Sequence, residues 1–539
     1  MKRLIYPIGV QEFSEIITKG MVYVDKTRLV HELACHSKYV FLSRPRRFGK
    51  SLLVSTFESY FRGEKELFRG LELSKLEKDW TQYPVLRFDL GRAHYGSAEQ
   101  LRNEISLMLL DYEQVYGVRE AETELNQRLT GIIRRAFEKT GRQVVVLIDE
   151  YDSPLLDVVD SQAFSAMQDV LRNFYSPLKS CDRLLRFVFI TGITKFSQVS
   201  IFSELNNLKI IGMNPDYHDI CGITDKELRE QLGEGVQTFA ESNGISVEET
   251  LARLRSNYDG YHFCQNSDGL YNPFSLLSAL DDRAINAYWF STGTPTALTK
   301  MLRRFSVPAD RLVGKWLASS RFNAPTQEAT SPTPFLFQSG YLTIKDYDAE
   351  KDLYFLDLPN REVSVGFWDA LVPFYLNAEG SEEAPTAAAN IWGRIAADDM
   401  DGALRCIQEF LETIPYARGT NTEGHYQTVL YVIFKLLGKF ADLEVRTARG
   451  RVDVVIYTAK NVYVIEVKLD GSVEEAMAQI EEKGYAGRFA LLGRNIVKVG
   501  VNFSSEKRTI DGWMVVRPVS WEVEAPISSP SAAKGDSTL

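Results

Sequence analysis

The chain has 539 residues, 45% hydrophobic and 25% charged, with a formal net charge of −10. That length exceeds a single core and implies roughly three or four structural units, and the ordinary composition places the chain among globular proteins. The acidic total does not advertise nucleic-acid binding, although a whole-chain average leaves room for a local basic run such as Arg44, Arg46 and Arg47. Cys35, Cys181, Cys221, Cys264 and Cys406 form an odd, dispersed set, which reads as reduced core thiols and not as a disulfide framework or zinc site. The opening MKRLIYPIGVQEF has no apolar signal region, and no stretch approaches the ~18 apolar residues of a membrane span. The expected compartment is therefore the cytoplasm, with no membrane partner.

In chain order, residues 1–223 alternate short apolar runs with amphipathic stretches, the pattern of a parallel α/β sheet. The runs Tyr39–Ser43, Val85–Asp89, Val144–Asp149 and Arg186–Thr191 read as strands covered on both faces. Residues 224–302 turn mainly helical, broken at Asn257–His262 and Tyr271–Phe274. Residues 303–378 read as a connector with a small β element at Gly340–Ile344. A second α/β unit is expected over 379–523, with a helix near His425–Leu437 and strands near Val452–Tyr457, Val462–Glu466 and Val497–Phe503. The Pro-, Ser- and Ala-rich residues 524–539 read as a disordered tail.

The segment Phe41–Leu53 runs from an apolar strand through a loop into Gly49-Lys50-Ser51 at the start of an amphipathic helix. That order lets backbone N–H groups and a helix N-terminus converge on phosphate oxygens. Lys50 would bridge the β- and γ-phosphates, and the Ser51 hydroxyl would ligate Mg²⁺. The loop residues Arg46, Arg47, Phe48 and Gly49 complete the candidate nucleotide site. The usual first glycine of such a loop is Arg44 here, tolerable only if the opening turn needs no positive φ. An ordinary strand–helix turn could carry the same letters. Val144–Asp149 then supplies what the loop needs: Asp149 at a strand end to hold Mg²⁺, and Glu150 to polarise the attacking water. Thr191 ends a further strand where a γ-phosphate sensor would sit, or else caps a helix, and Lys195 follows with a positive charge.

Tyr23–Thr27, Ser43–Ser51, Leu147–Asp152 and Thr191–Ser197, with Asn257–Tyr261 and Tyr271–Pro273, together resemble the bacterial AAA-ATPase-like family over residues 1–290. The resemblance implies a P-loop NTPase fold that binds ATP with Mg²⁺, and in that family the arginine-rich loop without its first glycine is usual.

Two later runs, Gly450–Tyr457 and Val462–Lys468, read as a hairpin. Glu466 and Lys468 are two apart, so they share a face, and Asp453 can lie across from them. Two carboxylates would hold Mg²⁺ or Mn²⁺ while Lys468 activates water, the requirements of phosphodiester cleavage. A solvated cross-strand salt bridge is the alternative. The pattern resembles the PD-(D/E)xK nuclease superfamily over residues 380–520, with Asp453 as metal ligand and Glu466-x-Lys468 as the ExK element. By that resemblance Glu423 is an additional acidic ligand and Gln479 approaches the site. The expected architecture is thus α/β: a P-loop parallel sheet with a helical subdomain, then a PD-(D/E)xK-like α/β domain. The expected function is an ATPase whose nucleotide state controls a metal-dependent nuclease acting on nucleic acid, DNA ahead of RNA. The other reading is a nucleotide-dependent switch whose C-terminal domain binds without cutting. Homo-oligomerisation stays open.

Overall fold

The computed structural model describes residues 4–517 except 160, 196–207, 293–297, 299–300, 303–304, 306, 308–311, 326–328, 377–382, 413–440, 448–449, 459, 486, 488 and 490–493. The chain forms two compact units, residues 1–374 and 375–539. The expected helix near His425–Leu437, Glu423, and the expected tail all lie outside the described residues.

In the first unit, β1 (Tyr39–Ser43), β2 (Val85–Asp89), β3 (Val144–Asp149), β4 (Leu185–Gly192) and β5 (Lys209–Ile210) form one sheet. Their order is β2-β3-β4-β1-β5, and every pairing is parallel. The sequence makes this sheet because its strands are continuous apolar runs: all six residues of β3 are buried. One face packs on the helices Ala98–Tyr116, Leu125–Thr140 and Phe164–Tyr175 through Phe88, Val146, Ile148 and Ile190. The opposite face carries Phe187 and Phe189 against Phe57 of the Lys50–Phe61 helix, with ring centroids 5.1 and 4.8 Å apart. With both faces covered, the open edge of the sheet is the C-terminal end of its strands, where ligands of such sheets bind.

Residues beyond the sheet form the helices Asp225–Gln231, Gly233–Asn243, Val247–Tyr258 and Pro273–Asp282 around their own apolar cluster. A two-stranded pair, β6 (Ile223–Thr224) and β7 (Leu270–Tyr271), closes that group. Next come three antiparallel strands in the order β8-β10-β9: β8 (Lys315–Leu317), β9 (Thr343–Asp348) and β10 (Leu353–Asp357). The β element expected at Gly340–Ile344 thus starts later, because Gly340 turns the chain at φ 88° before the strand begins. The Arg361–Leu376 helix follows.

The second unit holds a mixed sheet, β11 (Ala441–Thr447), β12 (Gly450–Tyr457), β13 (Asn461–Leu469), β14 (Asn495–Ser504) and β15 (Thr509–Val516), in chain order. Among the described residues only β13 and β14 of this sheet pair in parallel, and the Val473–Glu482 helix makes the crossover between them. The fold class is therefore mixed α/β throughout, as the sequence leads one to expect. One expectation fails: Cys181, Cys221 and Cys264 are buried, but Cys35 is exposed on the Thr27–His36 helix and is not a core thiol.

Candidate functional site

The loop after β1 is tied down from behind. Arg44, 1% exposed, donates to the carbonyls of Ser43, Gly212, Tyr217 and His218, and its guanidinium lies 4.1 Å from the Phe263 ring. Arg44 has no positive φ, unlike Arg47 (65°) and Gly49 (89°). The loop therefore replaces a flexible glycine with a buried tether, which explains how a large side chain fits there. Burial pushes the Arg44 guanidinium down to about 10, and its carbonyl partners keep the charge solvated. Phe48 packs edge-on against Tyr261 and Phe263.

The front of the loop faces a cleft of about 560 Å³. Arg46, Arg47, Gly49, Lys50, Ser51 and Glu150 line it. The Lys50 ammonium donates to the carbonyls of Arg44 (3.0 Å) and Pro45 (2.9 Å), curling the loop around itself. Burial pulls its pKa down, opposed by Glu150, Asp149 and Asp152. At the end of β3, Asp149 is buried, which raises its pKa against the hydrogen-bonded Ser51 hydroxyl and Lys50. Glu150, at φ 48°, is likewise raised by burial, with Lys50 opposing. A hydroxyl bonded to a carboxylate at a helix start is a hard oxygen donor set that fits a divalent cation. The rest of the lining mixes apolar residues, among them Pro7, Ile8, Val10, Phe274 and Leu277, with the polar Gln11, His94, Ser153 and Asp157.

Several residues here were not singled out from sequence. Asp89 ends β2 in register with Asp149 and accepts the Gly91 N–H at 2.9 Å. Gly91 leaves room for Glu150: a Cβ there would lie 1.9 Å from Glu150 Oε2. Asp152 is buried and accepts from the Ile193 N–H and from the Thr194 N–H and hydroxyl, fastening the ends of β3 and β4 together. For Asp89 the available signal was an acidic residue ending an apolar run, as Asp149 does. Thr191 is fully buried with its hydroxyl unpartnered, and it does not line the cleft. Lys195 is turned away too: its ammonium bonds Asn323, and burial pulls its pKa down to about 8.

In the second unit, β12 pairs antiparallel with β13 from Tyr457↔Val462 to Val454↔Ile465, and Asp453 and Glu466 flank the end of that ladder. Asp453 Oδ2 accepts the Val467 N–H at 2.9 Å. Glu466 is 2% exposed, and burial followed by Asp453 pushes its carboxyl up to about 7, with Lys468 opposing. The Lys468 ammonium lies 3.4 Å from Glu466 Oε1 and donates to Gln479 Oε1 at 2.6 Å. Gln479, from the Val473–Glu482 helix, also bonds Glu466 Oε1. Glu466 Oε2 is buried without a hydrogen-bond partner. Two mutually repelling carboxylates, one with an orphaned oxygen, fit a divalent cation. Among the described residues no cluster of three or more His, Cys, Asp or Glu is placed to hold a metal.

A family model described as predicted AAA-ATPase matches residues 7–202, and one described as PD-(D/E)XK nuclease superfamily matches residues 421–513. A protein of Azotobacter chroococcum mcd 1, described as an uncharacterized protein in the vnfD 5' region, is 34% identical over 531 residues. That alignment covers 96% of this chain and 99% of the relative. Among solved structures, the Aeropyrum pernix ORC1 protein in complex with DNA matches at 11% identity and a TM-score of 0.22, over 64% of this chain and 91% of its own. At that score the likeness carries no argument about this chain. Among the described residues, no helix is long and apolar enough to cross a membrane.

Proposed function

The chain belongs to the AAA-ATPase-like family and carries a PD-(D/E)XK nuclease superfamily domain at its C-terminus, and from that premise we propose that it hydrolyses ATP and that its nucleotide state controls phosphodiester cleavage. The observation that carries the ATPase half is the meeting of Lys50, Ser51 and Glu150 in one cleft, with Asp149 hydrogen-bonded behind Ser51. Lys50 and the loop N–H groups hold the phosphates, Ser51 and Asp149 hold Mg²⁺, and the apolar residues Pro7, Ile8, Val10 and Phe274 take the base. Glu150 accepts the proton of the attacking water, a role that suits a carboxylate whose proton affinity is raised by burial. At either site the bound cation supplies positive charge against phosphate oxygens.

In the C-terminal domain, Asp453 and Glu466 hold Mg²⁺ or Mn²⁺, Lys468 orients water, and nucleic acid, DNA ahead of RNA, is the substrate. The orphaned Glu466 Oε2 supports this reading. The engagement of Lys468 by Gln479 and Glu466 favours the second reading, a domain that binds nucleic acid or a partner without cutting. For the ATPase, Lys50→Ala abolishes ATP binding in a calorimetric titration, whereas Glu150→Gln retains binding and loses hydrolysis by about 10²-fold or more. Tight ATP binding by the Lys50→Ala protein would contradict the assignment.

A further inference from the structure

The phosphate loop has a second tether that the reading above does not use. The Trp289 indole N–H donates to the carbonyl of Arg46 at 3.1 Å, from the short Tyr288–Thr292 helix. Trp289 is itself held: its backbone N–H donates to Glu362 Oε1 at 2.7 Å. The other oxygen of the same carboxylate, Glu362 Oε2, accepts the Ser275 hydroxyl at 2.8 Å. Ser275 follows Phe274, whose ring lines the cleft and lies 4.7 Å from the Arg47 guanidinium. One carboxylate, 5% exposed, thus fixes two separate elements that each touch a neighbouring residue of the loop. The helix bearing Glu362 is keyed to the Trp289 segment as well, since a Cβ on Gly366 would lie 2.3 Å from the Phe290 ring.

Backbone geometry gives this arrangement a consequence. In a trans peptide the C=O of one residue and the N–H of the next point in opposite directions. A donor that holds the Arg46 carbonyl therefore fixes the Arg47 N–H pointing away from Trp289, in a loop whose residues line the cleft. Without that donor the peptide between them is free to flip and present a carbonyl where an anion must sit. Burying a carboxylate is costly unless its oxygens are used, and here both are.

We propose that Trp289 and Glu362 are positioning residues for nucleotide binding, Trp289 aiming the Arg46–Arg47 peptide at phosphate and Glu362 setting Trp289 and Phe274. The proposal rests on the ATP-binding reading of the cleft. The test uses the full chain and compares wild type with Trp289→Phe, Glu362→Ala and Glu362→Gln, measuring the Kd for ATP and steady-state hydrolysis. Trp289→Phe keeps an aromatic ring against Tyr341 and removes the indole donor with the five-membered ring that carries it. Its expected effect is about fivefold weaker ATP binding, with KM raised alike and kcat at saturation within about twofold, which is ~1 kcal/mol at 1.4 kcal/mol per tenfold. Glu362→Ala shifts KM in the same direction, and Glu362→Gln, whose amide oxygen still accepts from Trp289, restores most of it. Unchanged affinity in Trp289→Phe would overturn the proposal. So would a fall in kcat with KM unchanged in both Trp289→Phe and Glu362→Ala, the signature of lost folded enzyme. If the wild type itself binds no ATP, the underlying reading fails and the proposal falls with it.

Discussion

Arg44 is a cation sealed behind a loop that ordinarily begins with glycine, and its value lies in the carbonyls it serves. Arg44→Gly leaves the Gly212, Tyr217 and His218 carbonyls without that donor in a buried place. At ~1–3 kcal/mol for each buried group left unsatisfied, the loss is on the order of 3 kcal/mol or more. Urea unfolding of Arg44→Gly is expected to show that loss, and an unchanged midpoint would deny the tether. Glu362 gives a pH signature. Burial raises its carboxyl from 4.5 to about 7 in the folded chain. Between those values the folded state holds more proton than the unfolded state, so stability falls as pH climbs through that window and levels off above it. The phenols it faces, Tyr258, Tyr261 and Tyr288, are all pushed upward and stay neutral across the window. The shift corresponds to a contribution on the order of 3 kcal/mol. Glu362→Gln lacks this slope, so its Tm relative to wild type rises between pH 5 and pH 8; a constant difference would show that Glu362 titrates normally.

At the scale of elements, the C-terminal ends of the parallel strands deliver Asp89, Asp149 and the loop after Ser43 to one edge of the sheet. Gly91 is the clearance that lets Glu150 reach its place. Gly91→Ala is expected to displace the Glu150 carboxylate and lower kcat for ATP by about 10²-fold while ATP affinity changes little. Equal loss of affinity and rate would mean that the loop had collapsed instead. The first three strands were legible to the residue because an unbroken apolar run between turns has few other fates. The antiparallel strands β8 to β10 were not, because half-exposed strands such as Thr343–Asp348 mix polar and apolar residues without a clean period. Asp152 and Glu362 were invisible as sites for a different reason. Their partners, Thr194 and Trp289, are 42 and 73 residues away, and no local spacing encodes such meetings. The meeting of Glu466 and Lys468, 3.4 Å apart, follows from the strand's two-residue period, which sets residues i and i+2 on one face.

At the scale of the whole molecule, an acidic chain carries the Lys50 cleft in one compact unit and the neighbouring Asp453 and Glu466 carboxylates in the other. The proposed link between them predicts that disabling either site changes the same reaction in different ways. The most direct measurement is cleavage of DNA in Mg²⁺ or Mn²⁺, with and without ATP, by wild type, Lys50→Ala and Asp453→Ala. The account predicts that wild type cuts at a rate that depends on ATP. Lys50→Ala cuts without responding to ATP, and Asp453→Ala does not cut while it still hydrolyses ATP. Cutting by Asp453→Ala equal to wild type, or no ATP response in a wild type that cuts, would contradict it.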